Sequence, residues 1–148
     1  MGTRSLTTFM STWKDEKTGK VKNDKIVTMY RQYDGYPTGH GKELAEFIGQ
    51  GKMVNGIGAN EPQLVFNGIG CLAAQVVANF KKGAGGIYLH RGGAKNCWEE
   101  WHYEVIFNED TSELTFKCIE IHGKPTVFYE GTVQGFLELI TEEEEEKA

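Results

Sequence analysis

The sequence of 148 residues predicts a single α+β domain, in which one mainly antiparallel sheet of about six strands has two to three helices packed on one face. Three observations support this prediction. Segments rich in β-branched and aromatic residues are mostly joined by short turns. Three segments with apolar residues at helical spacing interrupt them. Strands and helices do not alternate regularly, whereas regular alternation would indicate a parallel sheet. The order of the strands does not follow from these patterns.

The N-terminal part begins with two predicted strands, at Gly2–Ser11 and at Ile26–Tyr33. The polar segment Lys14–Lys25 between them is expected to form a long, mobile hairpin loop. A helix is predicted at Lys42–Ile48, because its apolar residues share one face, and Gly49 ends it.

A short repeated pattern, Asn55–Gly58 and Asn67–Gly70, precedes the second helix. We expect a turn at each copy, because Asn and Gly tolerate positive φ; the alternative is the wall of a site, built from exposed backbone amides. The helix is predicted at Cys71–Lys82, where an almost wholly apolar stripe indicates the most buried helix of the domain.

The C-terminal part contains four predicted strands and a short helix. The strands are expected at Ile87–Arg91, Glu99–Asn108, Leu114–His122 and Thr126–Glu130. Thr132 has the side chain of a helix N-cap, and the apolar residues after it predict the final helix.

The formal net charge of −5 is concentrated at the end of the chain. Glu142–Glu146 and Lys147 together contribute −4, which leaves −1 for the remaining residues. We therefore expect one domain at residues 1–141 and a flexible, solvated acidic tail at 142–148, with an acidic interaction tail as the alternative. A nearly neutral body lacks the basic face that general nucleic-acid binding requires.

The sequence indicates a soluble cytoplasmic protein. It has no apolar run of membrane-spanning length, and no basic segment followed by an apolar core as in a signal peptide. Its three cysteines, Cys71, Cys97 and Cys118, are odd in number and widely spaced, which is typical of reduced thiols.

The chemically richest segment is the loop at residues 31–41, which joins the second predicted strand to the first helix. A phosphate-binding P-loop would need glycine at the position of Tyr36 and serine or threonine at the position of Glu43. The dinucleotide fingerprint also fails, because Leu44 replaces its third glycine. These departures argue against a nucleoside-triphosphatase, but anion binding by backbone amides at the helix start is still compatible with the sequence.

A second loop, at residues 91–98, has the same arrangement: a strand ends, an arginine lies near its edge and glycines follow. Each loop alone has too few polar groups for a site, so we expect the two loops to meet and share one pocket. Arginine binds phosphate or carboxylate, and aromatic faces stack on bases or cations. The candidate ligand-binding residues are Arg31, Tyr33, Asp34, Tyr36, His40, Arg91, Asn96 and Trp98.

Two alternatives to ligand binding stay open at this point. Arg31 and Asp34 could form a local ion pair that only fixes the loop. His40, Asp34 or Cys97 could instead serve the chemistry of a small hydrolase or transferase. No cofactor and no metal site are expected, because the histidines and cysteines lack the close spacing of zinc ligands.

Three sequence words resemble a family of short uncharacterised proteins from bacteria and bacteriophages. They are MGTRSL at residues 1–6, YRQYDGYPTGHG at 30–41 and NGIGCLAAQ at 67–75, and the similarity extends into residues 85–101. The resemblance implies a small soluble intracellular protein with a link to phages, and it implies no particular activity.

From these features we expect a small binding protein rather than an enzyme. Its ligand would be a small anionic or nucleotide-like molecule, or a host protein that a phage product sequesters or blocks. We expect no membrane partner, and the sequence allows a homo-oligomer.

Overall fold

The computed structural model describes residues 2–54 and 64–147. Among the helices of these residues, none is both long and apolar enough to cross a membrane. The elements are, in chain order, β1 (Ser5–Lys14), β2 (Val21–Arg31), a π-helical turn (Pro37–Gly41), α1 (Lys42–Gly49), β3 (Lys52–Val54), β4 (Val65–Asn67), α2 (Gly68–Phe80), β5 (Ile87–Arg91), β6 (Trp101–Asn108), β7 (Leu114–His122), β8 (Lys124–Gly131) and α3 (Val133–Lys147).

One mainly antiparallel sheet organises the chain, which confirms the predicted α+β domain. Its six strands lie in the order β5–β2–β1–β6–β7–β8. β1 and β2 form a hairpin, β6 to β8 form a meander, and β5 lies antiparallel to β2. The exception is the central pair, β1 and β6, which is parallel, with Ser5 opposite Trp101. β3 and β4 form a separate, short parallel pair.

The parallel central pair requires a long return of the chain between β5 and β6. β5 is antiparallel to β2, and β2 to β1, so β5 and β6 run in the same direction. Residues 92–100, which we call the crossover, therefore carry the chain from one end of the sheet to the other. They lie over the face away from the helices, where the Gly93 amide donates to Thr28 Oγ1 at 3.1 Å and Ala94 is buried.

The core lies between the other face of the sheet and the three helices. Side chains alternate along each strand, so Phe9 and Met29 point to the helices while Thr8 and Thr28 point to the crossover. The fully buried core side chains include Phe9, Met29, Leu44, Leu72, Val76, Tyr103, Phe116, Phe136 and Ile140.

The β1–β2 hairpin is longer than the sequence predicts, and the mobile loop expected at Lys14–Lys25 is wrong. β1 continues to Lys14 and β2 starts at Val21. The Asp15 amide closes the turn by donating to the Lys20 carbonyl at 2.9 Å. Residues 21–26 are exposed on both faces of β2. The alternation of polar and apolar residues that identifies a half-buried strand is therefore absent there.

The turn predicted at Asn67–Gly70 is only partly correct: Gly68 has the expected positive φ, at 80°, but the segment leads directly into a helix. Asn67 ends β4, and Gly68–Gly70 form the first turn of α2. Ile69 is buried in the core, so tertiary packing outweighs the low helix propensity of Gly70. The matching pattern at Asn55–Gly58 lies outside the described residues.

The final helix, α3, is longer than predicted. Thr132 caps it as expected, since its Oγ1 accepts a hydrogen bond from the Gly135 amide at 3.0 Å. The helix continues through the acidic residues 142–146 to Lys147. Glu144 forms an ion pair with Lys42 of α1 at 3.1 Å. The flexibility of this tail in solution stays a prediction.

Replacing Val76 with aspartate should unfold the domain. Val76 has no exposed surface, so an unpaired carboxylate would enter the core, at a loss of more than about 4 kcal/mol. Ala74→Asp, on the exposed side of the same helix, is the matched control. Thermal unfolding followed by circular dichroism should show a cooperative transition for the control only. An unchanged melting temperature for Val76→Asp would contradict the assignment of α2 to the core.

Deleting residues 142–148 should change stability only slightly. The Lys42–Glu144 pair has side chains that are 34% and 43% exposed, and such pairs contribute about 0–1 kcal/mol. The melting temperature should therefore fall by at most a few degrees. Lys42→Gln removes the ion pair alone and serves as the comparison. A much larger loss in the truncated chain than in Lys42→Gln would show that the end of α3 is firmly packed.

Candidate functional site

The structure separates the two loops that were expected to meet. Arg31 lies opposite Ile87, and Arg91 lies opposite Val27, at the two ends of the β2–β5 pairing. Four residues of strand, or about 13 Å, lie between the two arginine positions. The predicted shared pocket is therefore wrong: β5 is antiparallel to β2, so loops that follow these strands leave from opposite ends.

The first loop lines a cleft of its own, which we call the Arg31 cleft. Its volume is about 320 Å³, which is within the range of small-ligand sites. Three of the eight predicted ligand-binding residues, Arg31, Tyr33 and Asp34, lie together here. The other lining residues are Phe80, Lys82, Gly85, Gly86 and Ile87. This second group was not among the predicted ligand-binding residues, although the glycine run directly before a predicted strand is a usable signal.

Arg31 is held in one position in this cleft. Its Nη1 donates a hydrogen bond to His40 Nδ1 at 2.7 Å, and Glu43 Oε2 lies 3.5 Å from the same nitrogen. Its guanidinium carbon lies 5.7 Å from the ring centre of Phe80, a cation–π distance. Within the described structure, neither Nε nor Nη2 has a hydrogen-bond partner, and the carboxylate that pairs with Arg31 is Glu43 rather than Asp34.

His40 is fully buried and accepts the hydrogen bond from Arg31. Burial and, to a lesser extent, the Arg31 charge lower the pKa of His40 from 6.5 to about 3. The imidazole is therefore neutral at physiological pH, and its proton is on Nε2 because Nδ1 is the acceptor. Its Nε2 has no hydrogen-bond partner among the described residues. The ring packs edge-on against Phe80 and Tyr103, with centroid distances of 5.4 and 6.0 Å.

Backbone contacts fix the loop that carries His40. The Tyr103 hydroxyl donates to the Gly35 carbonyl at 2.6 Å, and the His40 amide donates to the Asp34 carbonyl at 2.6 Å. Asp34 has a φ of 59°, a conformation that Asp adopts more readily than most residues. The loop is therefore anchored on β6 in the core.

Another part of the lining comes from the glycines before β5. The Lys81 ammonium donates to the carbonyls of Gly85 and Ile87 at 2.8 and 2.7 Å. The Gln32 amide donates to the Gly86 carbonyl at 2.8 Å. The amides of Gly85 and Gly86 donate to no group in the described part of the chain, and both residues line the cleft.

The remaining predicted ligand residues lie outside the Arg31 cleft. Tyr36 is exposed on the first loop, and Arg91 is exposed at the end of β5. Asn96 and Trp98 belong to the crossover, where both have positive φ, at 59° and 65°. Trp98 is also 83% exposed.

The three residues of the catalytic alternative do not form a group. His40 is buried and bonded to Arg31, on the helix side of the sheet. Cys97 lies in the crossover, where burial and Glu99 raise the pKa of its thiol against the opposing effect of Arg91, and a raised pKa disfavours the nucleophilic thiolate. Asp34 lines the Arg31 cleft, and within the described part of the chain its carboxylate has no hydrogen bond to the side chain of His40 or Cys97. The described residues also contain no cluster of three His, Cys, Asp or Glu side chains that could hold a metal ion.

No family model, curated protein or solved structure matches the chain. The resemblance to short bacterial and bacteriophage proteins therefore stays a prediction.

The neutral, buried His40 should make the domain less stable in acid. Folding lowers the pKa of His40, so its imidazole binds a proton more tightly in the unfolded chain than in the folded one. The free energy of unfolding that His40 contributes is therefore fully present above about pH 6.5 and is lost as the pH falls towards 3. The slope from one such group is about 1.4 kcal/mol per pH unit. His40→Asn keeps an acceptor near the Nδ1 position but does not titrate, so it should flatten the dependence.

Urea unfolding across this pH range measures the effect. Exposed His122→Asn is the control and should keep the wild-type slope. Burial lowers the pKa of His102 as well, so a smaller slope should persist in His40→Asn. Identical slopes in the wild type and His40→Asn would show that His40 is not a buried neutral group.

Proposed function

We propose that this protein binds a small anionic ligand of nucleotide-like form in the Arg31 cleft. The observation that supports this most strongly is the hydrogen bond between Arg31 and a neutral, buried histidine. A buried carboxylate partner would cancel the guanidinium charge. His40 orients the guanidinium and leaves its charge available for a ligand.

Glu43 reduces this charge only slightly. Its side chain is 49% exposed and its oxygen is 3.5 Å from Arg31 Nη1. Exposed pairs of this kind are weak, because water screens them. A phosphate or carboxylate that meets the free Nε and Nη2 of Arg31 with two parallel hydrogen bonds would interact more strongly.

The rest of the lining suits the same chemistry. Lys82 supplies a second positive charge, and the free amides of Gly85 and Gly86 supply neutral donors. Among the described residues, Asp34 is the carboxylate that lines the cleft, and it can accept hydrogen bonds from a sugar hydroxyl or a base edge.

Tyr33 supports the nucleotide-like part of the proposal. Its side chain is 52% exposed and lines the cleft next to Arg31. An exposed aromatic ring beside a phosphate-binding group offers a face on which a base can stack, with a contribution of about 1–3 kcal/mol.

Isothermal titration calorimetry with inorganic phosphate and with AMP tests this proposal. Arg31→Gln should weaken both probes by about tenfold or more, since a hydrogen bond to a charged group contributes about 1.5–3 kcal/mol. Arg91→Gln is the matched control, because it removes the same charge from the other end of the β2–β5 pairing. It should bind both probes like the wild type.

Tyr33→Ala distinguishes a nucleotide site from a general anion site. This variant should lose affinity for AMP and keep its affinity for phosphate. Equal losses in Arg31→Gln and Arg91→Gln would indicate nonspecific attraction and contradict the site. The proposal also fails if the wild type binds neither probe.

A further inference from the structure

A second cavity lies on the opposite face of the sheet, between the strands and the crossover. Its volume is about 360 Å³, which is again within the range of small-ligand sites. Thr8, His102 and Ile119 form part of its floor, and Lys95 and Asn96 form part of its wall. We call it the crossover cavity. It exists because the chain must return over this face to reach β6.

The charged side chains that line this cavity are three lysines and two glutamates, which gives the lining a net charge of +1. Glu99 accepts a hydrogen bond from the Cys97 amide at 2.8 Å, and Glu104 lies 3.9 Å from the Lys117 ammonium. Glu104 therefore has a charged partner, whereas the hydrogen bond to Glu99 leaves the charge of that carboxylate unbalanced. Lys25 and Lys95 also line the cavity; both side chains are exposed, and neither ammonium group forms a hydrogen bond or ion pair with a described residue. The positive charge of the lining favours a ligand that carries negative charge.

The floor contains a fixed polar group. His102 Nε2 lies 2.9 Å from Thr8 Oγ1, which in turn lies 3.3 Å from Thr28 Oγ1. Thr28 Oγ1 accepts the hydrogen bond from the Gly93 amide. This chain of hydrogen bonds connects the floor to the crossover and so fixes the position of the crossover relative to the sheet.

The other end of the cavity is apolar. Ile119, Ile121 and Pro125 form this part of the lining. The wall beside it includes Asn96, which has positive φ, as does Trp98 two residues further along the crossover; Asn adopts this conformation more readily than Trp does. Non-glycine residues held in this conformation are concentrated at functional sites, since surrounding structure must offset a cost of about 1–3 kcal/mol for each.

We infer that the crossover cavity is a second binding site, for a small organic anion with an apolar body. The anionic group would lie at Lys25 and Lys95, and the apolar body would contact Ile119 and Ile121. This site goes beyond the Arg31 cleft, which lies on the other side of the sheet and is lined by different residues.

An NMR titration of backbone amides with hydrocinnamate tests this inference. Hydrocinnamate has one carboxylate and one apolar ring, and hydrocinnamyl alcohol is its uncharged counterpart. Hydrocinnamate at millimolar concentration should shift the amides of Gly93, Asn96 and Ile119, whereas the alcohol should not. Lys25→Gln and Lys95→Gln should each weaken binding by about tenfold. Lys20→Gln, in the exposed β1–β2 turn, should have no effect.

Arg31→Gln separates this site from the Arg31 cleft. In that variant hydrocinnamate should still shift the amides around the crossover cavity with wild-type affinity, whether or not the cleft binds phosphate. Equal binding of the alcohol, or no shift at the three amides, would overturn the inference. Shifts confined to Gly85 and Gly86 would assign the probe to the Arg31 cleft and would also overturn it.

Discussion

The parallel pairing of β1 with β6 determines how the rest of the domain is arranged. These strands are distant in sequence but adjacent at the centre of the sheet, and every other strand pair in the sheet is antiparallel. Because β5 and β6 then run in the same direction, the crossover has to traverse one face. The helices cover the other face. The Arg31 cleft and the crossover cavity are therefore separated by the sheet, and different segments of the chain line them.

The helix side of the sheet carries a group of buried polar atoms beside the Arg31 cleft. Ser5 Oγ, Thr7 Oγ1 and His40 Nε2 have no hydrogen-bond partner among the described residues. Each such atom costs about 1–3 kcal/mol, which is substantial for a domain of ordinary stability. Ser5 lies opposite Arg31 in the β1–β2 pairing. Buried polar atoms without hydrogen bonds lower the stability of the fold, and natural proteins tolerate such a cost mainly at functional sites. Their position next to an oriented arginine is typical of such a site.

Local patterns in the sequence were sufficient for much of the fold. The strands at Ile87–Arg91 and Leu114–His122 match the prediction to the residue, because periodicity and propensity are local properties. The candidate site depended on pairing between distant segments, and this could not be predicted. Alternation along a strand indicates which face a side chain occupies, but not which end of the sheet a loop reaches. The partner of Arg31 could not be predicted either, since His40 reaches it only after the loop has packed on β6.

The glycines of the first loop have a different role from the one their sequence suggested. A Cβ atom at Gly41 would lie 2.7 Å from the Tyr103 hydroxyl, and one at Gly35 would lie 2.8 Å from Ser5 Cβ. Both glycines therefore allow the loop to lie directly on the sheet. This close contact places His40 in the core, where it loses its charge and can hold Arg31 without neutralising it. In the proposed function, these two glycines contribute to ligand binding indirectly, through the position of Arg31. The close contacts that require glycine are with Tyr103 and Ser5 of the sheet rather than with a ligand.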